Sequence, residues 1–434
     1  MTIELVQPGS FRAWDRRRVS SVSMAPHRAA VRALDAADPL ARFRERFVVD
    51  DPDLVYLDGT SLGRLSRAAL DAVTDTVTAQ WGGELIRAWD HWLDLPERLG
   101  DRIAEVCLGA RRGEVVVADS TTVNFYRLAV AALDARPGRR VVVTDRANFP
   151  TDRYVLEGLA AARGVEIRWI DADPVKGVRA TDVAAALETG PSDEVALVTL
   201  SAVDYRSAAV VDIGAITALA HAAGALTLWD LSHAVAAIPL DLERDGVDLA
   251  VGCTYKYLNG GPGAPAFLYV RRGLHDEVRN PIQGWFGQRD QFEMGPAYDP
   301  APGIRRWLVG TPPIVALAGV AAGVELVAEA GIAAIRAKAI ALTTFAVDRF
   351  DAWLAPCGFA LGSPREPDRR GAHVTVRRAD ARALTSALIA HGIVPDFRAP
   401  DGIRLGLSPL TTRFADVEAG LDRLRRLAAT GTPP

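Results

Sequence analysis

Between about residue 50 and residue 310, short apolar runs alternate with helical stretches. The runs RRVVVTD, VEIRWID, EVALVTLS, ALTLWDLS and DLAVGC are separated by stretches such as NFYRLAVAALDA, YVLEGLAAARG and GAITALAHAAG. Apolar runs this short, between longer helices, are typical of buried parallel strands in repeated strand–helix–strand units. The sequence therefore predicts an α/β fold with a large, mainly parallel sheet that carries helices on both faces.

The sequence changes character on both sides of this region, which predicts three parts. Residues 1–50 are arginine-rich with helical patches and form an N-terminal arm. Residues 51–311 form the large α/β domain. Residues 312–434 contain a long connecting helix, PPIVALAGVAAGVELVAEAG, and a smaller C-terminal α+β domain with HVTVRR and GIRLGLS as strands.

Composition argues against several classes of partner. The net charge of −4 on 434 residues provides no basic surface for nucleic acid or an anionic membrane. The N-terminus has no signal-peptide pattern, and the most apolar stretch, residues 314–324, is too short to span a membrane. The three cysteines, Cys107, Cys253 and Cys357, are too far apart for a disulfide framework or a zinc site. We therefore expect a cytoplasmic protein without a metal ion.

Lysine is rare in this chain, and one lysine lies at a conspicuous place. Among 50 basic residues only three are lysines, Lys176, Lys256 and Lys338. Lys256 lies in YKYLNGGPGAP, after the apolar run DLAVGC and before a sharp turn. A solvated loop lysine is the simplest interpretation. Unlike arginine, however, a desolvated lysine loses its proton near neutral pH and forms a Schiff base with a carbonyl group.

Polar residues follow the ends of the predicted strands, where ligands bind in open parallel sheets. These residues are Asp145, Ser201, Asp230 and Lys256. Asp230 lies in TLWDLSHA, with His233 three residues later, and precedes Lys256 by about 25 residues. An aspartate at this place is often only a helix cap. Its spacing from the lysine is also that of many pyridoxal phosphate enzymes, in which a carboxylate holds the proton on the ring nitrogen of the cofactor.

Two further stretches have features of a phosphate and ring site. In DSTTVNFYRLAVAALDA, Thr121 and Thr122 begin a predicted helix, where hydroxyls and free N–H groups bind anions. An ordinary N-cap gives the same pattern. In NFPTDRY, Phe149 offers a ring that could stack on a cofactor, and Asp152 is a polar neighbour. A single phenylalanine is more often part of the core.

Taken together, these motifs resemble a kynureninase-type member of the class V aminotransferase superfamily, which are pyridoxal phosphate enzymes of fold type I. The resemblance runs from about Ala41 to the C-terminus. It rests on YLDGTSLGRL, DSTTVN, NFPTD, WDLSHA, YKYLNGGPGAPAFLYV, GWFG, APGIRRWLVGTPPI and GIRLGLSPL. The N-terminal segment to about Asp38 lies outside it.

The resemblance implies a role for each matching residue. Lys256 is the Schiff-base lysine, Asp230 contacts the ring nitrogen and Arg404 binds the substrate α-carboxylate. The other cofactor contacts are Thr121, Thr122, Phe149, Asp152, Ser201, His233 and Tyr255. Trp285 and Thr311 match positions that the family supplies from a partner subunit. The resemblance thus implies pyridoxal 5′-phosphate, an amino-acid substrate and a homodimer with shared active sites.

The chain departs from the kynureninase motifs at several polar positions. Thr60 replaces Asn, Ala202 replaces His, Asp204 replaces Asn, Ala208 replaces Gly and Gln288 replaces His. Either the chain has drifted within the kynureninases, or it is a paralogue with a changed substrate.

We expect the second case, because the changes are several and fall inside otherwise well-matched motifs. The loss of polar groups fits β-elimination better than hydrolysis, because elimination needs no placed water and no partner for an aryl ketone oxygen. The expected activity is a C–S lyase that acts on a cysteine S-conjugate in antibiotic-type metabolism. Hydrolysis of L-kynurenine to anthranilate and alanine, and deaminating, decarboxylating or aminotransferase chemistry, are the alternatives.

Overall fold

The computed structural model describes residues 25 to 430, so that part of the predicted arm, residues 1–24, lies outside the described residues. The strands are β1 (Val55–Tyr56), β2 (Val115–Val117), β3 (Val141–Asp145), β4 (Glu166–Ile170), β5 (Val195–Ser201), β6 (Leu226–Asp230), β7 (Leu249–Gly252), β8 (Phe267–Val270), β9 (Ala360–Leu361), β10 (His373–Arg377), β11 (Ile393–Val394), β12 (Asp396–Arg398) and β13 (Gly402–Gly406). The α-helices are α1 (Ala25–Ala36), α2 (Arg67–Asp75), α3 (Trp89–Trp92), α4 (Leu95–Ile103), α5 (Thr121–Asp134), α6 (Pro150–Arg163), α7 (Ala180–Glu188), α8 (Ile213–Ala222), α9 (Ile314–Ala330), α10 (Ile332–Arg349), α11 (Ala381–Ala390) and α12 (Phe414–Thr430).

A seven-stranded sheet in the order β2-β8-β7-β6-β5-β3-β4 forms the centre of the protein. Strand β8 runs antiparallel to its neighbours β2 and β7, and the other pairs are parallel. The inner strands consist mostly of buried β-branched and aliphatic residues, which a sheet covered on both faces requires. The predicted α/β class with a mainly parallel sheet is confirmed.

Two apolar cores lie on opposite faces of this sheet. On one face, Phe125 and Leu128 of α5 and Leu156 of α6 pack in a core with Val142 and Leu197. Helices α4, α7, α8 and α9 contribute to the core on the other face. The helices thus fix the strand ends from both sides, and the loops that follow the strands have a rigid base.

A smaller C-terminal unit is built on an antiparallel sheet in the order β12-β13-β10-β9. Helices α10, α11 and α12 pack on this sheet around a third core. Strand β1 belongs to this unit in space, because it pairs in parallel with β11. The exact domain boundaries at residues 50 and 311 stay a prediction.

The segment before β1 is tied to the C-terminal helices by charged groups. The carboxylate of Asp35 accepts the backbone N–H groups of Phe414 and Ala415 at the start of α12. Lys338 of α10 and Asp38 form an ion pair of 2.6 Å, and both side chains are almost completely buried. A buried ion pair contributes more to specificity of packing than to stability.

No single helix in the described part of the chain is long and apolar enough to cross a membrane. The pair of α9 and the helix that follows it to Cys357 reaches the required length and apolarity only when counted together, and it is bent by 82°.

Candidate active site

The carboxyl ends of β6 and β7 bring together the two residues on which the sequence argument rests. Asp230 is the last residue of β6 and pairs with Val251 of β7. Lys256 follows β7 after a short loop. Both side chains are buried, with 6% of Asp230 and 8% of Lys256 exposed. The structure therefore places a desolvated amine and a desolvated carboxylate at one edge of the sheet.

The amine of Lys256 is surrounded by three rings. Its Nζ lies 2.9 Å from Nε2 of His233. It also lies 5.9 Å from the ring centroids of Phe149 and Tyr255. Of the other two lysines, Lys338 is held in its ion pair and Lys176 is exposed. Lys256 is thus the buried lysine that has a histidine, rather than a carboxylate, as its partner.

Asp152 places a second carboxylate in the same site. It lies in the first turn of α6, is 1% exposed, and its Oδ2 has no hydrogen-bond partner in the described chain. Burial raises the pKa of Asp152 well above its usual value, and the neighbouring Asp230 carboxylate raises it further. The nearby Lys256 lowers the pKa of Asp152. The unpartnered oxygen leaves Asp152 free to bond to a ligand.

The loop before α6 contributes a hydrogen bond and an aromatic pair. The hydroxyl of Ser201, at the end of β5, donates to Oδ1 of Asn148 at 2.7 Å. Nδ2 of Asn148 is buried and has no partner among the described residues. The ring of Phe149, the residue before α6, meets the ring of Tyr205 edge to face at 5.2 Å. This contact fixes the plane of Phe149.

Helix α5 begins beside this edge with Thr121 and Thr122 in its first turn. The side chain of Ser120 caps the helix by accepting the N–H of Val123 at 3.3 Å. Thr121 is half-buried and Thr122 is exposed. The other first-turn N–H groups of a helix have no acceptor within the helix, so that with two hydroxyls they suit an anion.

A glycine in the YLDGTSLGRL motif holds the backbone on the other side of Lys256. The N–H of Gly63 donates to the carbonyl of Tyr255 at 2.8 Å. A β-carbon at Gly63 would come within 2.3 Å of the carbonyl oxygen of Lys256. This close approach requires glycine at position 63.

Arg404 of β13 is completely buried and held by three partners. Its guanidinium donates to the carbonyl of Tyr205 at 2.8 Å and to the hydroxyl of Ser61 at 2.7 Å. It also forms an ion pair with Asp396 at 2.7 Å. Burial lowers the pKa of Arg404, and the nearby Arg398 guanidinium lowers it further. The side chain is held in a fixed orientation.

Two carboxylates face Arg404, and they influence each other. Asp58 lies 3.7 Å from the Arg404 guanidinium. Burial raises the pKa of Asp58 to about 6, with a further contribution from Asp396. The Arg404 charge opposes this shift. Asp396 is also bound by Arg398 at 2.6 Å.

Trp285 and Thr311 are not buried in the chain to which they belong. Trp285 is 40% exposed, and Thr311 lies in an exposed stretch before α9. The single chain therefore leaves both side chains at its surface.

Several residues belong to this site although the sequence motifs did not single them out. Asn148 lies inside the motif NFPTD and Ser61 inside YLDGTSLGRL, so that the sequence carries a signal for both residues. The others come from the loop after β5 and from the C-terminal sheet, where no local pattern marks them: Tyr205, Asp396, Arg398 and His373.

The positions that depart from the kynureninase motifs make contacts within the fold. Asp204 accepts the N–H groups of Arg206 and Ser207, which closes a turn. Gln288 accepts the N–H of Asp299 at 2.7 Å. Thr60 is completely buried, and a β-carbon at Gly406 would touch its hydroxyl.

Ala202 is completely buried as well, and its N–H donates to the carbonyl of Asp230 at 2.9 Å. These contacts stabilise loops and strand ends. They give no evidence that the substrate has changed.

Comparison with known proteins finds close relatives over nearly the whole chain. The chain is 42% identical to the kynureninase of Pseudomonas fluorescens over 393 residues, which are 89% of this chain and 91% of that protein. It is also 42% identical to a kynureninase of Burkholderia pseudomallei over 92% of this chain and 94% of that protein. The family described as kynureninase C-terminal domain matches residues 335–424.

Solved structures share the fold at much lower identity. A cysteine desulfurase from Thermococcus onnurineus NA1 superposes with a TM-score of 0.75 at 16% identity, covering 92% of this chain and 98% of that one. The cystine C–S lyase C-DES has a TM-score of 0.74 at 21% identity, covering 86% and 98%. Identity this low supports the fold and carries no argument about the reaction.

The expected C–S lyase activity in antibiotic-type metabolism is wrong. The relatives that match most of the chain at 42% identity are kynureninases, whereas the C–S lyase shares 21%. The expectation relied on changed polar positions, and those residues have contacts within the fold that account for them.

Proposed function

The chain belongs to the kynureninase family, and we propose that it hydrolyses L-kynurenine to anthranilate and alanine. The observation that carries this proposal is the 42% identity to kynureninases over about nine-tenths of the chain. The reaction adds one water molecule across the bond between Cβ and Cγ of the substrate. Membership of the family makes the protein a pyridoxal 5′-phosphate-dependent enzyme.

The residues present fit this cofactor. The site offers a buried amine on Lys256, a carboxylate on Asp230 and buried polar atoms that lack partners in the described chain on Asp152 and Asn148. Unpartnered buried polar atoms are rare in folded proteins, and a polar ligand satisfies them. The start of α5 suits a phosphate group. When bound, pyridoxal phosphate withdraws electrons from the substrate Cα and so makes its proton acidic.

Lys256 has two tasks in this proposal. Its amine would hold the cofactor in the resting enzyme and, when free, would accept the proton from the substrate Cα. Burial between the rings of Phe149 and Tyr255 keeps water away from the amine, which favours proton transfer to and from one atom. His233, at 2.9 Å, accepts a hydrogen bond from the protonated amine.

The remaining residues hold and orient the cofactor. Asp230 would keep a proton on the ring nitrogen, and Phe149, which Tyr205 holds in place, would pack on the cofactor ring. Thr121 and Thr122 would bind the phosphate group with the first-turn N–H groups of α5. Further contacts to the cofactor would come from Ser201, Asp152, His233 and Tyr255.

Arg404 binds the α-carboxylate of the substrate. A guanidinium forms two parallel hydrogen bonds with a carboxylate, which fixes the Cα–H bond as well as the position of the group. Because Tyr205 and Ser61 already hold Arg404, the substrate does not have to order this side chain.

A homodimer completes the site in this proposal. Trp285 and Thr311 lie at the surface of their own chain and would contact the cofactor of the partner subunit. Large apolar side chains are exposed as well, including Ile86 at 77%, Met294 at 72% and Phe292 at 62%. The exposed rings of Trp285 and Phe292 lie 6.3 Å apart, and contiguous apolar surface of this kind favours an interface between subunits.

The test is direct. Purified protein supplied with L-kynurenine should release fluorescent anthranilate with kcat/KM of about 10⁴ M⁻¹s⁻¹ or more. Borohydride should fix the cofactor to the peptide that contains Lys256. A yellow protein that forms no anthranilate would overturn the proposed reaction while leaving the cofactor assignment intact.

A further inference from the structure

His373 is a buried histidine to which the proposed reaction assigns no task. It begins β10 in the C-terminal sheet, opposite Gly406 of β13, and has no exposed surface. Neither of its ring nitrogens has a well-aligned hydrogen-bond partner in the described chain, although the backbone of Arg206 lies close enough to raise its pKa. Since buried polar atoms are nearly always hydrogen-bonded, the ring nitrogen that does not face Arg206 is available to a further partner.

His233 is in position to be that partner. The two ring centroids are 5.7 Å apart and the ring planes are inclined by 60°. A direct N–H···N bond between two imidazoles places their centroids roughly 5 to 5.5 Å apart. The centroid separation is thus about half an ångström from that of a directly bonded pair, and one water would also bridge the two rings. Nδ1 of His233 is likewise buried without a partner in the described residues.

The contact with Lys256 determines which nitrogen of His233 carries the proton. Whenever Lys256 is an ammonium group it has donors and no acceptor, and Nε2 of His233, 2.9 Å from its Nζ, then supplies the lone pair. In the neutral ring the proton is then on Nδ1, and this N–H requires an acceptor. A neutral His373 has one ring nitrogen with a free lone pair.

The surroundings keep both rings neutral. Burial lowers the pKa of His233 and of His373 well below the usual range. The positive charges that face the pair, Lys256, Arg404 and Arg398, lower both values further. A weak hydrogen bond with the backbone of Arg206 opposes this effect by raising the pKa of His373.

We propose that His373 is a positioning residue that accepts a hydrogen bond from Nδ1–H of His233 and so presents the Nε2 lone pair of His233 to Lys256. His373 acts on Lys256 only through His233. For its effect on turnover the inference rests on the proposed function, but the tautomer of His233 does not depend on which substrate the enzyme takes.

The first test is ¹⁵N NMR of the full-length protein with labelled histidine rings, after removal of the cofactor. The chain has seven histidines, and His233→Gln identifies the signal of His233. We expect a neutral ring with its proton on Nδ1. A proton on Nε2 in the wild-type protein overturns the proposal without any variant of His373.

The second test compares three variants. His373→Phe keeps the ring volume and removes the acceptor, so that His233 should change to a mixture of tautomers. His373→Gln offers an amide oxygen and should restore the wild-type signal. His275→Phe is the control, because His275 is also buried but bonds to the carbonyl of Val270. An unchanged His233 signal in His373→Phe contradicts the inference.

A kinetic cycle separates this role from a contact with substrate. His373→Phe should lower kcat about tenfold with little change in KM, and should add nothing in a His233→Phe background. Equal losses in both backgrounds would show that His373 acts independently. If the wild-type protein turns over no kynurenine, the proposed function fails and the NMR result still decides the inference.

Discussion

A guanidinium nitrogen of Arg404 lies 2.7 Å from a carboxylate oxygen of Asp396, at a place where Arg404 has no contact with solvent. Asp396 also binds Arg398, so that one carboxylate serves two arginines. Arg404 and Arg398 thus share two carboxylates, Asp396 and Asp58, which compensate their charges. This arrangement keeps the guanidinium that we propose to bind the substrate buried and fixed in place.

Arg404→Leu should impair turnover and leave the cofactor in place. Loss of a bidentate, charge-assisted contact with the α-carboxylate raises the barrier by about 2–5 kcal/mol. This corresponds to a loss in kcat/KM of roughly 30-fold to several thousand-fold. Steady-state kinetics measure it, and the visible absorption of the cofactor should not change. The control Arg289→Leu removes an exposed arginine. Wild-type kcat/KM in Arg404→Leu would contradict the assignment.

Asp396→Asn should destabilise the fold, because it leaves the buried Arg404 charge without its ion pair. Removing one partner of a buried pair costs about 3–5 kcal/mol, and the remaining bonds to Tyr205 and Ser61 favour the lower end. Urea unfolding at pH 7 measures the change. Asp299→Asn is the matched control, since its pair with Arg289 is 59% exposed on both sides and is worth less than about 1 kcal/mol. Equal effects of the two substitutions would refute this account.

The carboxyl of Asp58 should make stability depend on pH between about 4 and 6. Burial raises its pKa to about 6, above the value of about 3.9 in an unfolded chain. The folded protein therefore binds this proton more tightly, and stability falls as the pH rises from about 4 to 6 and then stays level. A shift of about two pKa units corresponds to a change of about 3 kcal/mol in the free energy of unfolding, and we expect a measured change of about 1–3 kcal/mol.

The contribution of Asp58 to this dependence should be lost in Asp58→Asn. Urea unfolding of both proteins from pH 4 to 7 should show that the variant gains stability relative to the wild type as the pH rises. Asp53→Asn, at an exposed position nearby, should keep the wild-type profile. Parallel profiles for wild type and Asp58→Asn would exclude Asp58 as the source.

Ala208 adopts a left-handed backbone conformation with φ of +67°, which an alanine adopts only at a cost of about 1–2 kcal/mol. Glycine relieves this strain but loses a buried methyl group and gains entropy in the unfolded chain. Ala208→Gly should therefore be nearly neutral in thermal unfolding. Ala202→Gly, equally buried but without a positive φ, should cost about 1–2 kcal/mol. If Ala208→Gly loses as much stability as Ala202→Gly, glycine does not relieve the backbone strain at position 208.

The fold could be predicted because each strand and helix carries its own pattern. The run VVVTD of β3 and the helix from Thr121 are visible in a window of ten residues, and alternation of such strands and helices favours a parallel sheet. Asp230 and Lys256 could be found for the same reason, since a position at the end of a strand is a local property.

The parts that could not be predicted depend on contacts between distant segments. Asp396 and His373 lie in the C-terminal sheet, more than 100 residues after Lys256, and nothing in their own sequence places them beside Arg404 or His233. The departures at Asp204 and Gln288 led to the wrong prediction of the reaction, because their contacts are also visible only in the folded chain. Asp204 closes a turn, and Gln288 accepts a backbone N–H from a distant part of the loop.

The proposed shared site predicts that two inactive variants will restore activity when they are mixed. Lys256→Ala disables the site of its own subunit, whereas Trp285→Ala disables the site of the partner. After random exchange, about half of the dimers contain one subunit of each kind, and each of these has one intact site. Mixed protein should therefore recover about one quarter of the wild-type anthranilate-forming activity.

The control mixes Lys256→Ala with Arg404→Leu. Arg404 acts on the same buried cluster of its own chain as Lys256, since both charges influence His233. Every mixed dimer then has one defect in each site, and no activity should return. Two outcomes would place Trp285 outside the partner's site. One is recovery of activity in the mixture with Arg404→Leu. The other is no recovery of activity in the mixture with Trp285→Ala although light scattering shows mixed dimers.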